Sequence, residues 1–113
     1  MSQYTFHYFD AYGRAENVRI LLAYCNVKYD DQRIERRDWL SVKWTFPGAQ
    51  VPCLEFPDGT KLGQTMSMLR YLGQVHGAYP TDPVAQYECD YISDNYAELF
   101  DKLIAPNFKS GDE

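Results

Sequence analysis

The sequence predicts an α/β chain, with a small mixed sheet covered by helices in the order β-α-β-α-β-β-α and one long helix after it. Three observations predict this. The aromatic, β-favouring run Tyr4-Thr5-Phe6-His7-Tyr8-Phe9 is followed closely by apolar residues at helical spacing. Pro57-Asp58-Gly59-Thr60 supplies hairpin-turn chemistry between two short strand-like runs. A final stretch, from Val84 to about Ile104, carries its apolar residues on one helical face.

In chain order, Tyr4–Phe9 is the first strand and Asp10-Ala11-Tyr12-Gly13 the turn that leaves it. Glu16 to Cys25 places Val18, Leu21, Leu22 and Cys25 at helical spacing, and Asn26 is a helix stop. Val27 to Ile34 alternates loosely and reads as a second strand. A β-α-β unit implies a parallel pair with a right-handed crossover. Arg36 to Trp44, with Trp39, Leu40 and Lys43 at near-helical spacing, predicts a short second helix that Phe46-Pro47-Gly48 breaks. Val51 to Phe56 is a strand, and the hairpin turn leads from it into Lys61-Leu62. Pro52 cannot donate to a sheet ladder, so it belongs at the strand's entrance, where a cis bond and a tight turn are expected.

Met66 to His76 forms an amphipathic helix through Met68, Leu69, Leu72 and Val75, ended by Gly77. The loop Tyr79-Pro80-Thr81-Asp82-Pro83 marks a boundary, which divides the chain into residues 1–78 and residues 79–113. In the second part, Ile92, Tyr96, Leu99 and Leu103 line one helix face, Pro106 stops the helix, and a polar tail follows. That stripe calls for a partner, so the isolated chain is expected to self-associate or to be only marginally stable.

Composition narrows the function. The formal net charge of −5 disfavours a general nucleic-acid surface, which needs an excess of Lys and Arg. Arg33, Arg36 and Arg37 are interrupted by Glu35 and Asp38 and read as a solvated helix start. Cys25, Cys53 and Cys89 form neither a C-x-x-C pair nor a disulfide framework, which fits a reducing compartment and leaves Cys53 as a small buried hydrophobe. No basic leader and no membrane-length apolar run is present, so the expected location is the cytoplasm, without a membrane partner.

One stretch organises the rest. With Pro52 at the strand entrance, the backbone groups of Val51 are left for an extended ligand to pair with as an added strand. Gln64 and Thr65 stand where a helix begins and backbone donors point outward. Together these residues make a site for a small peptide-like anion.

Tyr8-Phe9, Gly13-Arg14-Ala15-Glu16, Asp38-Trp39 with Lys43, Gln50-Val51-Pro52, and Gln64-Thr65 followed by Arg70-Tyr71-Leu72 resemble the cytosolic glutathione transferases. The likeness is greatest to their sigma class, which includes prostaglandin D synthases, and it covers nearly the whole chain. The resemblance implies a thioredoxin-like glutathione-binding domain followed by part of an all-α domain. It implies glutathione as co-substrate, a hydrophobic electrophile as second substrate, a homodimer, and no metal.

The same resemblance assigns roles. Tyr8 is the catalytic tyrosine, and Arg14 lies near its hydroxyl and helps hold the thiolate. Trp39 and Lys43, four apart, receive the glycyl carboxylate; Gln50, Val51 and Pro52 receive the cysteinyl part. Gln64 and Thr65 hold the γ-glutamyl carboxylate at a helix N-terminus, where an anion is favoured. Glu98 reaches across the dimer to the ligand of the other subunit. The sequence departs from the family pattern at Thr65, usually serine, and at Glu98, usually aspartate, while Ala97 stands where prostaglandin synthases carry a further acid. Taken by themselves, these residues admit plainer roles. Tyr8 is one of ten tyrosines, with Tyr4 and Tyr12 as rivals. Arg14 reads equally well as a surface arginine, Trp39 as a core-edge residue beside a solvated Lys43, Thr65 as an N-cap, and Asp90, Asp94 and Glu98 as a solvated acidic face.

Overall fold

The computed structural model describes residues 2–108. Residues up to Ala78 form one compact unit and those from Tyr79 onward another. The first unit is a four-stranded sheet of β1 (Tyr4–Phe9), β2 (Tyr29–Ile34), β3 (Cys53–Glu55) and β4 (Lys61–Leu62), in the spatial order β2-β1-β3-β4. β1 and β2 run parallel from Tyr4 opposite Tyr29 to Phe9 opposite Ile34. The other two pairs are antiparallel, with His7 opposite Cys53 and Glu55 opposite Lys61. The parallel pair is joined by α1 (Glu16–Tyr24), as a β-α-β crossover demands. β2 lies at the edge, and its Asp30, Asp31, Gln32 and Arg33 are exposed, which blunts pairing with another chain.

Strand alternation sorts two cores. Tyr4, Phe6 and Tyr8 point to one face, where Leu54, α1 (Ala15, Val18, Leu22) and α3 (Thr65–Val75, through Met68 and Leu72) complete the main core. Phe6, Val18, Leu22, Leu54, Met68 and Leu72 are essentially inaccessible, and burying each such side chain contributes about 1.5–3 kcal/mol. On the other face Cys53 packs with Trp39 and Phe46.

The helix predicted over Arg36 to Trp44 is three short pieces: a 3-10 turn at Arg36–Asp38, α2 at Trp39–Val42, and a second 3-10 turn at Lys43–Thr45. Hydroxyls take up its backbone carbonyls, from Ser41 to Asp38 at 2.8 Å and from Thr45 to Val42 at 2.6 Å, and Pro47 lies just beyond. Asn26 has φ 57 and ends α1 as expected.

In the second unit α4 runs from Pro83 to Leu99, capped by Asp82, whose carboxylate accepts the Ala85 N–H at 3.0 Å. It continues through a π-helical turn, Phe100–Ile104, into a 3-10 turn, Ala105–Phe108. Pro106 therefore does not stop the helical path. It falls inside the final 3-10 turn, where its missing N–H costs little. The expected polar tail lies beyond the described residues. Ile92, Leu99 and Leu103 are exposed, at 69%, 55% and 66%. Among the described residues no helix is long and apolar enough to cross a membrane.

Candidate functional site

β1 delivers Tyr8 to the main core with 8% of its surface accessible. The chain then turns sharply, with the Ala11 N–H donating to the Phe9 carbonyl at 2.8 Å, and passes over the tyrosine at Gly13. Gly13 has φ +40, and a Cβ there would collide with the Tyr8 hydroxyl. This close approach lets the Arg14 N–H donate to the Tyr8 hydroxyl oxygen at 3.1 Å. The hydroxyl thus lies just ahead of α1, on the side where the helix dipole is positive. The two rival tyrosines differ. Tyr12 is 75% exposed. Tyr4, at the far end of β1, shares a 2.8 Å hydrogen bond with His76 Nε2, and burial pushes its phenol up from the ordinary value.

Arg19 was not anticipated. It is a charged residue with 5% of its surface accessible, on the inward face of α1. Its guanidinium donates to the carbonyl oxygens of Ala11 at 2.7 Å and Phe9 at 3.4 Å, and to Glu16 at 3.1 Å and Asp31 at 3.4 Å. It also lies 5.8 Å from the ring centroid of Tyr8. The cation thereby fixes both ends of the turn that follows Tyr8. The sequence held a signal: Arg19 stands four residues after Ala15 and three before Leu22, on the buried stripe of α1.

The second cluster forms where α3 begins. Gln64 precedes the helix with φ 69 and ψ 109, a conformation a glutamine adopts only under strain. Its Nε2 donates to Gln50 Oε1 at 3.4 Å. Thr65 is the first helical residue and does not act as an N-cap. With Gln64 turned into the left-handed region, the Thr65 hydroxyl instead donates to the Arg14 carbonyl at 3.2 Å. Gly48 and Ala49 are also left-handed, at φ 63 and 55, and bring the chain to an extended Gln50. The Val51–Pro52 peptide is cis. Val51 precedes the β1–β3 register, which ends at the His7–Cys53 pair, and no turn hydrogen bond among the described residues takes up its backbone.

Trp39 is 9% exposed, stacked on Phe46 at 6.1 Å and edge-on to Phe9 at 5.2 Å. Lys43 begins the 3-10 turn, and its ammonium lies 5.4 Å from the ring of Trp44, which is exposed. The two are therefore not on one continuous α-helical face, because the backbone changes pitch between them. Glu98, in the second unit, is exposed and accepts from Lys102 at 2.6 Å, a pairing that holds its carboxyl below the ordinary value. Among the described residues, no group of three or more His, Cys, Asp and Glu side chains is arranged to hold a metal ion.

The first unit thus brings together Tyr8 and Arg14, links them to Thr65 through the Arg14 backbone, and joins Gln64 to Gln50. Its parts are a hydroxyl hydrogen-bonded to a backbone amide, the half-buried approach to β3 at Val51, and the N-terminus of α3.

The family profile "Glutathione S-transferase, N-terminal domain" matches residues 4–74. S-crystallin 4 of Enteroctopus dofleini is 38% identical over 101 residues, covering 89% of this chain and 47% of its own length. Hematopoietic prostaglandin D synthase of Gallus gallus is 42% identical over 94 residues, covering 83% and 47%. The crystal structure of a monomeric glutathione S-transferase from the hookworm Necator americanus superposes with a TM-score of 0.83 at 29% identity, over 96% of this chain and 55% of that one. The chain spans about half the length of the curated relatives it matches. The fold is thioredoxin-like in the first unit, with a helical region after it.

Proposed function

Because the chain belongs to the glutathione S-transferases through their N-terminal domain, with sigma-class-like relatives, we propose that it binds glutathione and activates the thiol through Tyr8 for attack on hydrophobic electrophiles. The observation that carries this reading is the Arg14 N–H donating to the Tyr8 hydroxyl oxygen at 3.1 Å. An oxygen that accepts from a backbone amide is a better donor through its own O–H, which can hydrogen-bond a thiolate without giving up its proton. The thiolate is the nucleophile, and an ordinary thiol has a pKa of about 8.5. Making it mostly ionised at neutral pH asks for roughly 2.7 kcal/mol of differential stabilisation. A hydrogen bond to a charged group contributes about 1.5–3 kcal/mol, so one tyrosine hydroxyl supplies most of it.

Glutathione would lie with its γ-glutamyl carboxylate at Gln64 and Thr65, its cysteinyl backbone paired with Val51 beside Gln50 and Pro52, and its glycyl carboxylate near Trp39 and Lys43. Arg14 adds positive charge beside the sulfur. In a homodimer Glu98 would serve the site of the other subunit. The setting that fits is cytoplasmic conjugation of apolar electrophiles, a detoxifying role.

A second reading is a glutathione-binding or protein-interaction module with little turnover. The exposure of Ile92, Leu99 and Leu103 favours it, since that apolar face suits a protein partner.

The Tyr8→Phe variant tests the first reading. Its bound glutathione should need a more alkaline solution to ionise, followed by the ultraviolet absorbance of the thiolate, while the dissociation constant stays within about twofold. Conjugation of a chlorodinitrobenzene at the wild-type rate would remove Tyr8 from the chemistry. Binding without conjugation by the wild-type chain would favour the second reading.

A further inference from the structure

The segment from Trp39 to Gln50 holds three expected glutathione contacts, Trp39, Lys43 and Gln50, yet little regular structure holds the segment itself. Its α-helical part is the four residues of α2. Phe46 is its anchor. This ring is 8% exposed, stacked on Trp39 at 6.1 Å and edge-on to His7 of β1 at 5.1 Å. The Phe46 carbonyl accepts the Ala49 N–H at 2.9 Å, and its own N–H donates to the Lys43 carbonyl at 3.2 Å. Lys43, Phe46 and Ala49 are thus linked in one short chain of contacts that ends beside Gln50.

A cation from outside the segment closes this arrangement. Lys61 of β4 donates from Nζ to the Thr45 carbonyl at 2.9 Å and lies 5.2 Å from the centroid of the Phe46 ring. The accepting carbonyl is at the end of the Lys43–Thr45 turn, where helical carbonyls lack internal partners and positive charge is favoured. The ring face adds a cation–π attraction. Glu55, the cross-strand neighbour of Lys61, is engaged by His7 Nε2 at 2.8 Å, so the lysine reaches past it to the segment.

We propose that Lys61 is a positioning residue for the glycyl end of glutathione: by holding Thr45 and Phe46 it sets Trp39 and Lys43 relative to Val51. The inference rests on the glutathione reading above. It predicts a split that general loosening would not produce. The γ-glutamyl end is assigned to Gln64 and Thr65, whereas Lys61 bonds to Thr45 and lies on the Phe46 ring, so the glycyl contacts should depend on the lysine.

The test is calorimetric titration of the full chain, as wild type, Lys61→Met and Lys61→Arg, with glutathione and with γ-glutamylcysteine, which lacks the glycine. Lys61→Met should raise the glutathione dissociation constant about five- to tenfold, the effect of one displaced charge-assisted contact, and leave that of γ-glutamylcysteine within about twofold. KM for glutathione should rise with kcat unchanged, and Lys61→Arg should restore most of the affinity. Wild-type affinity in Lys61→Met, equal weakening of both ligands, or no rescue by arginine would each overturn the inference alone. A folded wild-type chain that binds neither ligand would overturn the glutathione reading, and this inference with it.

Discussion

The Thr65 hydroxyl donates to the carbonyl oxygen of Arg14 at 3.2 Å, across 51 positions of sequence. The N–H of the same Arg14 donates to the Tyr8 hydroxyl at 3.1 Å. One residue's backbone therefore spans the two halves of the candidate site, with the tyrosine on its amide side and the start of α3 on its carbonyl side. Anything that moves the turn around Arg14 moves both.

Gly13→Ala should show this most sharply. The new Cβ meets the Tyr8 hydroxyl, and the backbone at φ +40 disfavours any side chain. Destabilisation of about 1–3 kcal/mol is expected in urea unfolding, together with loss of thiol ionisation in whatever remains folded. A variant of unchanged stability and activity would mean that the turn does not sit against Tyr8.

Arg19→Met removes a buried cation and leaves the carbonyls of Phe9 and Ala11 without its donors. The expected cost is about 1–3 kcal/mol, because the two carbonyls lose a charged donor while Glu16 and Asp31 stay open to water. Urea midpoints for Arg19→Met and Arg19→Lys measure it, with lysine falling between methionine and the wild type.

Gln64→Gly separates stability from function. Glycine removes roughly 1 kcal/mol of strain at φ 69, offsetting the freedom it adds to the unfolded chain. The urea midpoint should not fall, while glutathione affinity drops at least about fivefold through loss of the side chain. Unchanged affinity would take Gln64 out of the site.

Burial pushes the Cys53 thiol up to about 11. A thiol whose folded pKa is raised contributes stability that is fully present below the unfolded value and is lost as pH rises through the folded one. Stability should therefore decline between about pH 9 and pH 11 by a component that Cys53→Ala abolishes. Mass spectrometry after brief alkylation at mildly alkaline pH should find Cys89, which is exposed, modified first and Cys53 untouched until the chain unfolds.

Much of this arrangement was legible in the residues. Period-two alternation marks Tyr4, Phe6 and Tyr8 as one face, and Pro-Asp-Gly-Thr marks the hairpin, because both signals are local. Trp39 and Lys43 were expected on one helix face, but the helix changes pitch between them. Phe46 follows directly on that change, and its ring meets His7 and Trp39, contacts that no spacing rule contains. Gln64 gave no warning of its left-handed backbone, since the residues that usually mark that conformation are glycine and asparagine. That conformation in turn sends the Thr65 hydroxyl to Arg14 and away from a capping role. The Lys61–Thr45 contact joins residues from different elements and had no sequence signal at all. Arg19 had one, its place on the buried stripe of α1.

The most direct measurement is calorimetric titration of the chain with glutathione at neutral pH in two buffers of different ionisation enthalpy, which reports binding and proton release together. Binding accompanied by release of a proton is the expected result, because the thiol ionises against the Tyr8 hydroxyl. Binding with no proton released, or no binding by a folded chain, would contradict the claim that this site holds glutathione as a thiolate.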